Sequence, residues 1–433
     1  MKQLFLIDDT IANKVSYHHL AFFLIALPFD FFYSELILIS FGIHTFIHVR
    51  KGYWQRVFSK PVLVQSSLFI LGLLAISYSS DKQEAVNVTT RQLAILVFPV
   101  LFALNSLDIE KYKINLFCIF GFTCVATILY LYTDAVRTII YFHLPFSSLL
   151  TTLFMNHNFS LPIGIHATYL SAYIAFSLLF FLYLLLTDEK PRQKWIWIFS
   201  SVILFAGLVQ LSSRAVFIAF LMVINLAFPF FLFKGKRRIA FLLTASLVSA
   251  GAVLVIMNVD SFKTRYISEL KTDLTNNVKI IENSEPRLAR WNAIAELVKA
   301  SPVLGYGTGS EKRLLKEKYF EKGLYISYLN EFNTHSEYLG VLLKTGLVGL
   351  LLLLYVLYFG FATAIQNKDL LFLSFMMIIA IVSVSENILD LNKGIFFYSF
   401  FFSFFLCKTK PALLKELTPA AADTGNRSIL KSV

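Results

Sequence analysis

Residues 163–186 read Ile163-Gly-Ile-His-Ala-Thr-Tyr-Leu-Ser-Ala-Tyr-Ile-Ala-Phe-Ser-Leu-Leu-Phe-Phe-Leu-Tyr-Leu-Leu-Leu186, with no Asp, Glu, Lys or Arg. As an α-helix this run is long enough to cross the roughly 30 Å hydrocarbon core of a bilayer. Working outward, similar runs fall at about 17–32, 34–49, 62–79, 92–106, 114–132, 194–211, 213–233, 239–257, 336–359, 369–385 and 394–407. The expected fold is therefore an all-α integral membrane protein of about twelve transmembrane helices. The first pair, read differently, would form one re-entrant hairpin.

Composition agrees. Of the 433 residues 57% are hydrophobic, 45 of them Phe, and only 15% are charged, against about 25% in a typical soluble domain. Mean hydropathy is +0.67. Cys118, Cys124 and Cys407 lie in or beside apolar runs and form neither a CxxC pair nor a disulfide framework. Residues Met1 to Ser16 are mixed polar and acidic, unlike a cleavable signal peptide.

The net charge of +12 would suggest nucleic acid in a soluble protein, but its distribution is topological. With the N-terminus inside, three cytoplasmic loops collect Arg50, Lys51, Arg56 and Lys60; Lys190, Arg192 and Lys194; and Lys234, Lys236, Arg237 and Arg238. Lys408, Lys410 and Lys415 of the tail join them, so both termini are expected in the cytoplasm. Opposite loops carry Asp30 and Glu35, Asp81 to Glu84, Asp134 with Arg137, and Glu386 to Lys393. The division expected is 1–257 for helices 1–9, 258–335 for a large external loop, 336–407 for helices 10–12 and 408–433 for a cytoplasmic tail. The large loop, rich in Lys, Arg and Glu, should fold as helices on the outer membrane surface. A second external segment, about Thr133 to Pro162, leads through His143 and His157 to His166. Connections this long are commonly functional.

Three residues stand out. Arg214, in Leu211-Ser-Ser-Arg-Ala, sits at an external junction of two apolar spans with no carboxylate nearby in sequence. It reads either as a snorkelling flank residue or as an anion ligand. Arg287 follows Pro286 in Glu285-Pro-Arg-Leu-Ala-Arg-Trp. Proline suits the first helical position, and Leu288, Trp291, Ala295 and Val298 would share an apolar face. A cation in a helix's first turn is disfavoured by the dipole unless an anion sits there; a solvated surface arginine is the other reading. His335, in Asn333-Thr-His-Ser-Glu, would occupy the first position of a helix capped by a Thr334–Glu337 box. It is then either a neutral imidazole able to take a proton or an interfacial histidine without a chemical role. Lys344 shares a face with Glu337, its role open. No HExxH, DxD or clustered metal-ligand pattern occurs. Gly305-Tyr-Gly-Thr-Gly lacks the Lys-Ser/Thr ending of a P-loop and reads as a turn.

Taken in order, Leu211-Ser-Ser-Arg214-Ala, Arg287-x-x-x-Trp291, Pro302-x-x-Gly305-x-Gly307-x-Gly309, His335-Ser-x-Tyr338-Leu339 and Gly346-Leu-Val-Gly349-Leu resemble the O-antigen ligase and polymerase family of bacterial envelope enzymes. The resemblance covers roughly residues 160–360. Gly164-Ile-His166-Ala-Thr-Tyr169-Leu is similar to one branch of it, and Lys344 stands where relatives often carry an acidic residue. The resemblance implies a GT-C-like arrangement, with the large loop periplasmic and before the tenth helix, in the inner membrane. It implies transfer of glycan from undecaprenyl pyrophosphate to an acceptor hydroxyl. A ligase uses lipid A–core, a polymerase another carrier-linked chain, and protein O-glycosylating relatives a side-chain hydroxyl. Arg214 and Arg287 would hold the pyrophosphate and His335 would assist the acceptor, with Arg290, His166, Tyr169 and Tyr338 as further candidates. Two fixed cations can carry a pyrophosphate leaving group without metal or cofactor, in one inverting in-line attack. A lipid-linked sugar transporter is the competing class, but its charged sites should lie near the bilayer midplane.

Overall fold

The computed structural model describes residues 2–29, 31–188, 191–275 and 285–406. Helices stand on all twelve expected segments. Among the described residues eight are long and apolar enough to cross a membrane. Ile11–Ala26, Phe31–Ile47, Leu370–Val382 and Asn392–Leu406, of 13 to 17 residues, are shorter than that. The tail 408–433 and Cys407 lie outside the described residues, as do Asp30, Glu189 and Lys190.

The Phe-rich helix Asn392–Leu406 is the hub. From Gly394 to Leu406 every residue is buried, as an all-round apolar helix should be. Its Phe400 stacks on Phe23 at 5.2 Å and Phe401 on Phe117 at 5.8 Å, while Phe397 meets Phe375 edge-on at 5.5 Å. Gln65 is fully buried here, its Nε2 donating to Ser399 O (3.0 Å) and its Oε1 accepting from Ser403 (2.9 Å), so no polar group of that side chain is stranded in the apolar core. At the other extreme, Gly235–Met257 lies on the periphery with Leu243, Leu247 and Val248 exposed.

Several boundaries move: the first span, expected at 17–32, is the helix Ile11–Ala26. The fifth expected span, 114–132, is part of a helix running Ile109–Tyr141, 33 residues begun by the Asp108 cap on Lys111 N. The connecting segment after it therefore begins near Phe142 rather than Thr133. Short turns of helix follow at 146–150, 152–154, 157–160 and 161–163. They are tied down by Gln210, whose Nε2 donates to Leu149 O (2.7 Å) and Phe154 O.

The large loop is helical, in Asp260–Lys263, Glu269–Asp273, Arg287–Ala300, Glu311–Glu321 and Tyr325–Leu329. Ala293, Ile294, Leu315, Tyr319 and Leu324 form its small core with Leu343 of the next long helix. The fully buried stripe of Arg287–Ala300 is thus Arg290, Ala293 and Ile294; of the expected face, Trp291 and Val298 flank it, half-buried and packed on the same core.

Helix Glu337–Gln366 is broken at Gly346 (φ 63°, ψ −160°), and the glycine segment mends the break. Tyr306 N and Gly307 N donate to Leu343 O (3.1 Å) and Lys344 O (2.8 Å), and Leu347 N and Val348 N donate to Pro302 O (2.8 Å) and Val303 O (3.3 Å). Non-helical backbone inside an apolar bundle needs such partners. A Cβ on Gly305 would stand 2.6 Å from Leu343 O, one on Gly307 2.4 Å from Ser79 Cα and one on Gly309 2.3 Å from Ala85 N. The alternate glycines are a docking seam as well as a turn.

Candidate functional site

Ser212 adopts φ 49° and ends helix Pro191–Leu211, so that Ser213 becomes the N-cap and Arg214 the first residue of the next helix. Arg287 holds the same place in its own helix: Pro286 is the N-cap rather than the expected first residue. Neither cap side chain bonds to its helix, which leaves backbone N–H groups without cap partners beside each arginine.

Both arginines turn to one carboxylate. Arg214 Nη2 lies 2.5 Å from Asp273 Oδ2, and Arg287 Nε 3.7 Å from the same oxygen. Arg287 also donates from Nη1 to Ser385 O (3.1 Å), with Nη2 3.8 Å from Glu386 Oε1. The other oxygen of Glu386 faces His335 Nδ1 at 3.8 Å. That is longer than a hydrogen bond, and among the described residues the buried Nδ1 has no hydrogen-bond partner. Burial works to raise the Glu386 carboxyl, but the facing His335, His166 and Arg287 outweigh it and hold it below the usual range.

His335 does not sit at a helix's first position. It lies in the turn before the helix at φ 45°, and Ser336 is the cap, accepting from Leu339 N at 3.4 Å. No Thr334–Glu337 box forms: Thr334 Oγ1 donates to Ser336 O (3.1 Å), and Glu337 Oε2 accepts from Leu389 N (2.8 Å). The turn is clamped instead to the segment carrying Glu386. Asn387 Oδ1 accepts from Ser336 N (2.9 Å), and Asn387 Nδ2 donates to Thr334 Oγ1 (2.8 Å) and Asp390 Oδ2 (2.9 Å). Glu311 Oε1 accepts from Thr334 N (3.2 Å). Lys344 closes the knot between Asp390 Oδ1 (2.6 Å) and Glu311 Oε2 (3.4 Å). The unusual backbone of His335 is held by this surrounding network.

His166 caps Ala167–Thr187, its Nδ1 accepting from Thr168 N at 3.4 Å, and lies 4.2 Å from the His157 ring and 5.3 Å from Tyr169. Burial lowers its pKa to about 4; Glu386 pulls the other way. Tyr169 OH donates to Asn387 O (2.9 Å). Arg290 points elsewhere, buried with its guanidinium 5.1 Å over Phe332. Tyr338 is also not brought in, because its OH donates to Ala380 O (2.9 Å).

The O-Antigen ligase family model matches residues 199–354. That stretch is what the chain has in common with the family. Among curated proteins none matches this chain. The family matched is one of lipid-linked glycan ligases and polymerases, and the match agrees with the apolar spans of a membrane protein. Arg214, Asp273, Arg287 and His335 lie inside the matched residues, whereas His157, His166 and Glu386 come from outside them. Sequence reasoning missed Asp273, Glu386 and His157. Glu386 carried a signal, a carboxylate in a short loop between two apolar runs. Asp273 carried none, since only the fold brings it to Arg214.

Proposed function

We propose that the chain is a glycosyltransferase acting at the outer face of the bacterial inner membrane. It would move glycan from undecaprenyl pyrophosphate to an acceptor hydroxyl, as an O-antigen ligase attaching it to lipid A–core. One observation carries this reading: two uncapped helices, each beginning with an arginine, converge on a single carboxylate beside a His–Glu pair. Asp273 occupies the place a phosphate would take, since helix N-termini and arginines together favour such anions.

In the proposed step Glu386 orients His335 and stabilises its charged form. The histidine's other nitrogen takes the proton of the acceptor hydroxyl as its oxygen bonds to the anomeric carbon. The bond from that carbon to the pyrophosphate oxygen breaks, and the electron pair leaves with the diphosphate, whose developing charge Arg214 and Arg287 neutralise. The 3.8 Å gap of the His–Glu pair is of the kind that tightens when substrate binds.

The break at Gly346 and the buried Lys344 are features a transporter would also show. Here both are tied into fixed contacts with the external loop, which supports a static scaffold. The deciding experiment mixes purified protein in proteoliposomes with undecaprenyl-pyrophosphate-linked glycan and lipid A–core, with chelator and without ATP. Glycosylated core from wild type, lost in Arg214→Ala and His335→Ala, is expected. Longer carrier-linked chains would make the protein a polymerase, and leaflet exchange of carrier without either product would make it a transporter.

A further inference from the structure

Far from the His335 turn, the short connection between the second and third spans gathers cations with no counter-charge. It runs Arg50-Lys-Gly-Tyr-Trp-Gln-Arg-Val-Phe-Ser-Lys60, and no Asp or Glu occurs between Glu35 and Asp81. Its Lys51–Phe58 stretch is a 3-10 helix that buries none of its side chains and lies against helices Lys60–Ala75 and Ala94–Leu104. Lys60 Nζ stands 5.4 Å from the centroid of the Phe359 ring. Phe359 is 22 residues beyond Glu337 in the broken helix, roughly 30 Å along it. The segment therefore sits at the opposite end of that helix from the proposed glycan-transfer site.

Two guanidinium groups converge there on one phenol. Arg56 Cζ lies 3.4 Å and Arg50 Cζ 5.9 Å from the centroid of the Tyr53 ring. The ring attracts each cation, but the two like charges repel one another. Among the described residues Arg56 Nη1 is buried without a hydrogen-bond partner. A buried donor left unpaired beside a second cation calls for an anion, and the guanidinium fork suits phosphate in particular. The surface beside the pair is apolar. Trp54 packs on Phe46 of the second span with ring centroids 6.2 Å apart, and Phe46, Trp54 and Phe58 are all exposed. Aromatic rings next to basic groups at the end of a span suit the level where headgroups meet acyl chains. A soluble phosphate would use the cations and leave these three rings idle, whereas a phospholipid uses both.

We propose that Arg50 and Arg56, gathered on the Tyr53 ring, hold the phosphate of an anionic phospholipid whose chains lie along Phe46, Trp54 and Phe58. The lack of any carboxylate in this stretch makes the site selective. A phosphatidylglycerol headgroup adds no charge to its phosphate, whereas the ammonium of phosphatidylethanolamine meets only cations. The basic loop is then a lipid site as well as a mark of topology. It needs nothing from the glycan-transfer reading, and either can fail without the other.

The test uses the full chain, stripped of lipid in detergent and titrated separately with phosphatidylglycerol and phosphatidylethanolamine. Retained lipid is counted by native mass spectrometry, with melting temperature as a second reading. Wild type should prefer phosphatidylglycerol and gain melting temperature with it. Arg50→Gln and Arg56→Gln should each weaken that binding about fivefold, the usual share of one basic residue at an anionic lipid surface. Lys236→Gln and Arg237→Gln, which remove the same charge from another loop, should leave it unchanged. Arg50 is exposed, so Arg50→Gln decides alone if Arg56→Gln does not fold. The site is wrong if the control variants lose as much as the arginine variants, because net charge would then account for the binding. It is equally wrong if wild type does not distinguish the two lipids, or if Arg50→Gln binds as wild type does. Displacement of phosphatidylglycerol by millimolar inorganic phosphate would make it a site for a soluble anion instead.

Discussion

His335 Nδ1 and Glu386 Oε2 face each other at 3.8 Å, and the two residues come from segments 51 positions apart. If the pair moves the acceptor proton, His335→Ala and Glu386→Gln should each lower turnover by about 10²–10⁴, the usual size of a general-base contribution. Tyr338→Phe should stay near wild type, because its hydroxyl is committed to Ala380 O; initial rates of glycan transfer check all three. His166 makes a second prediction. Its pKa in the fold is about 4, well below the ordinary 6.5. Below pH 6.5 the unfolded chain therefore takes up a proton that the folded one refuses, and stability falls as pH drops from 6.5 toward 4. Two and a half units correspond to roughly 3 kcal/mol at most. Glu386, depressed by its neighbours against the pull of burial, loses its contribution only as pH falls through its lowered value, below the ordinary 4.5. Melting temperature followed from pH 7.5 to 4.5 should decline. His166→Asn, whose amide oxygen can still cap Thr168 N, should flatten the upper part of that decline.

At the scale of elements, the broken helix Glu337–Gln366 and the glycine segment 301–309 are one unit. The break frees backbone groups of Leu343, Lys344, Leu347 and Val348, and the loop answers each with a hydrogen bond. Gly346 and Gly305 are both in left-handed backbone, and a Cβ on Gly346 would lie 2.2 Å from Val303 O. Alanine at either position meets both an unfavourable φ and a backbone atom that cannot step aside. Each substitution should destabilise by about 2–4 kcal/mol from overpacking and backbone strain together. A lowered melting temperature in detergent and earlier proteolysis of the loop would register it. Gly164, which has a positive φ but nothing within 4 Å of its Cβ position, should lose less on the same change.

Across the whole molecule, the large loop and the helical bundle are joined at the Lys344 knot. Its ammonium lies between Asp390 of the last loop and Glu311 of the large loop, and Asn387 links this knot to the turn of His335. Lys344→Met would leave two buried carboxylates without their cation, a loss of about 3–5 kcal/mol. Thermal unfolding should shift down accordingly, and Glu311–Glu321 should become accessible to protease in the folded protein. Glycan transfer should fall as well, because the turn that presents His335 is held from the same network. A variant that lost stability but kept full turnover would separate the knot from the site.

Helix class, the places of the spans and the order of the arginines and histidine follow from the sequence alone. Each depends on local quantities: the length of an apolar run, a charge at its end, a proline or glycine at a fixed offset. Arg214 stood out because no carboxylate lay near it in the chain. Its partner Asp273 is 59 residues away, and no periodicity connects the two. The tertiary structure alone decided that both arginines share that carboxylate, that Glu386 faces His335, and that Lys344 is balanced by residues from two loops. These are long-range electrostatic pairings, fixed by which helix ends the packing of the Phe-rich core brings together. The position of His335 shows the same division: its capping pattern was local, but the hydrogen bonds of Asn387 placed it outside the helix.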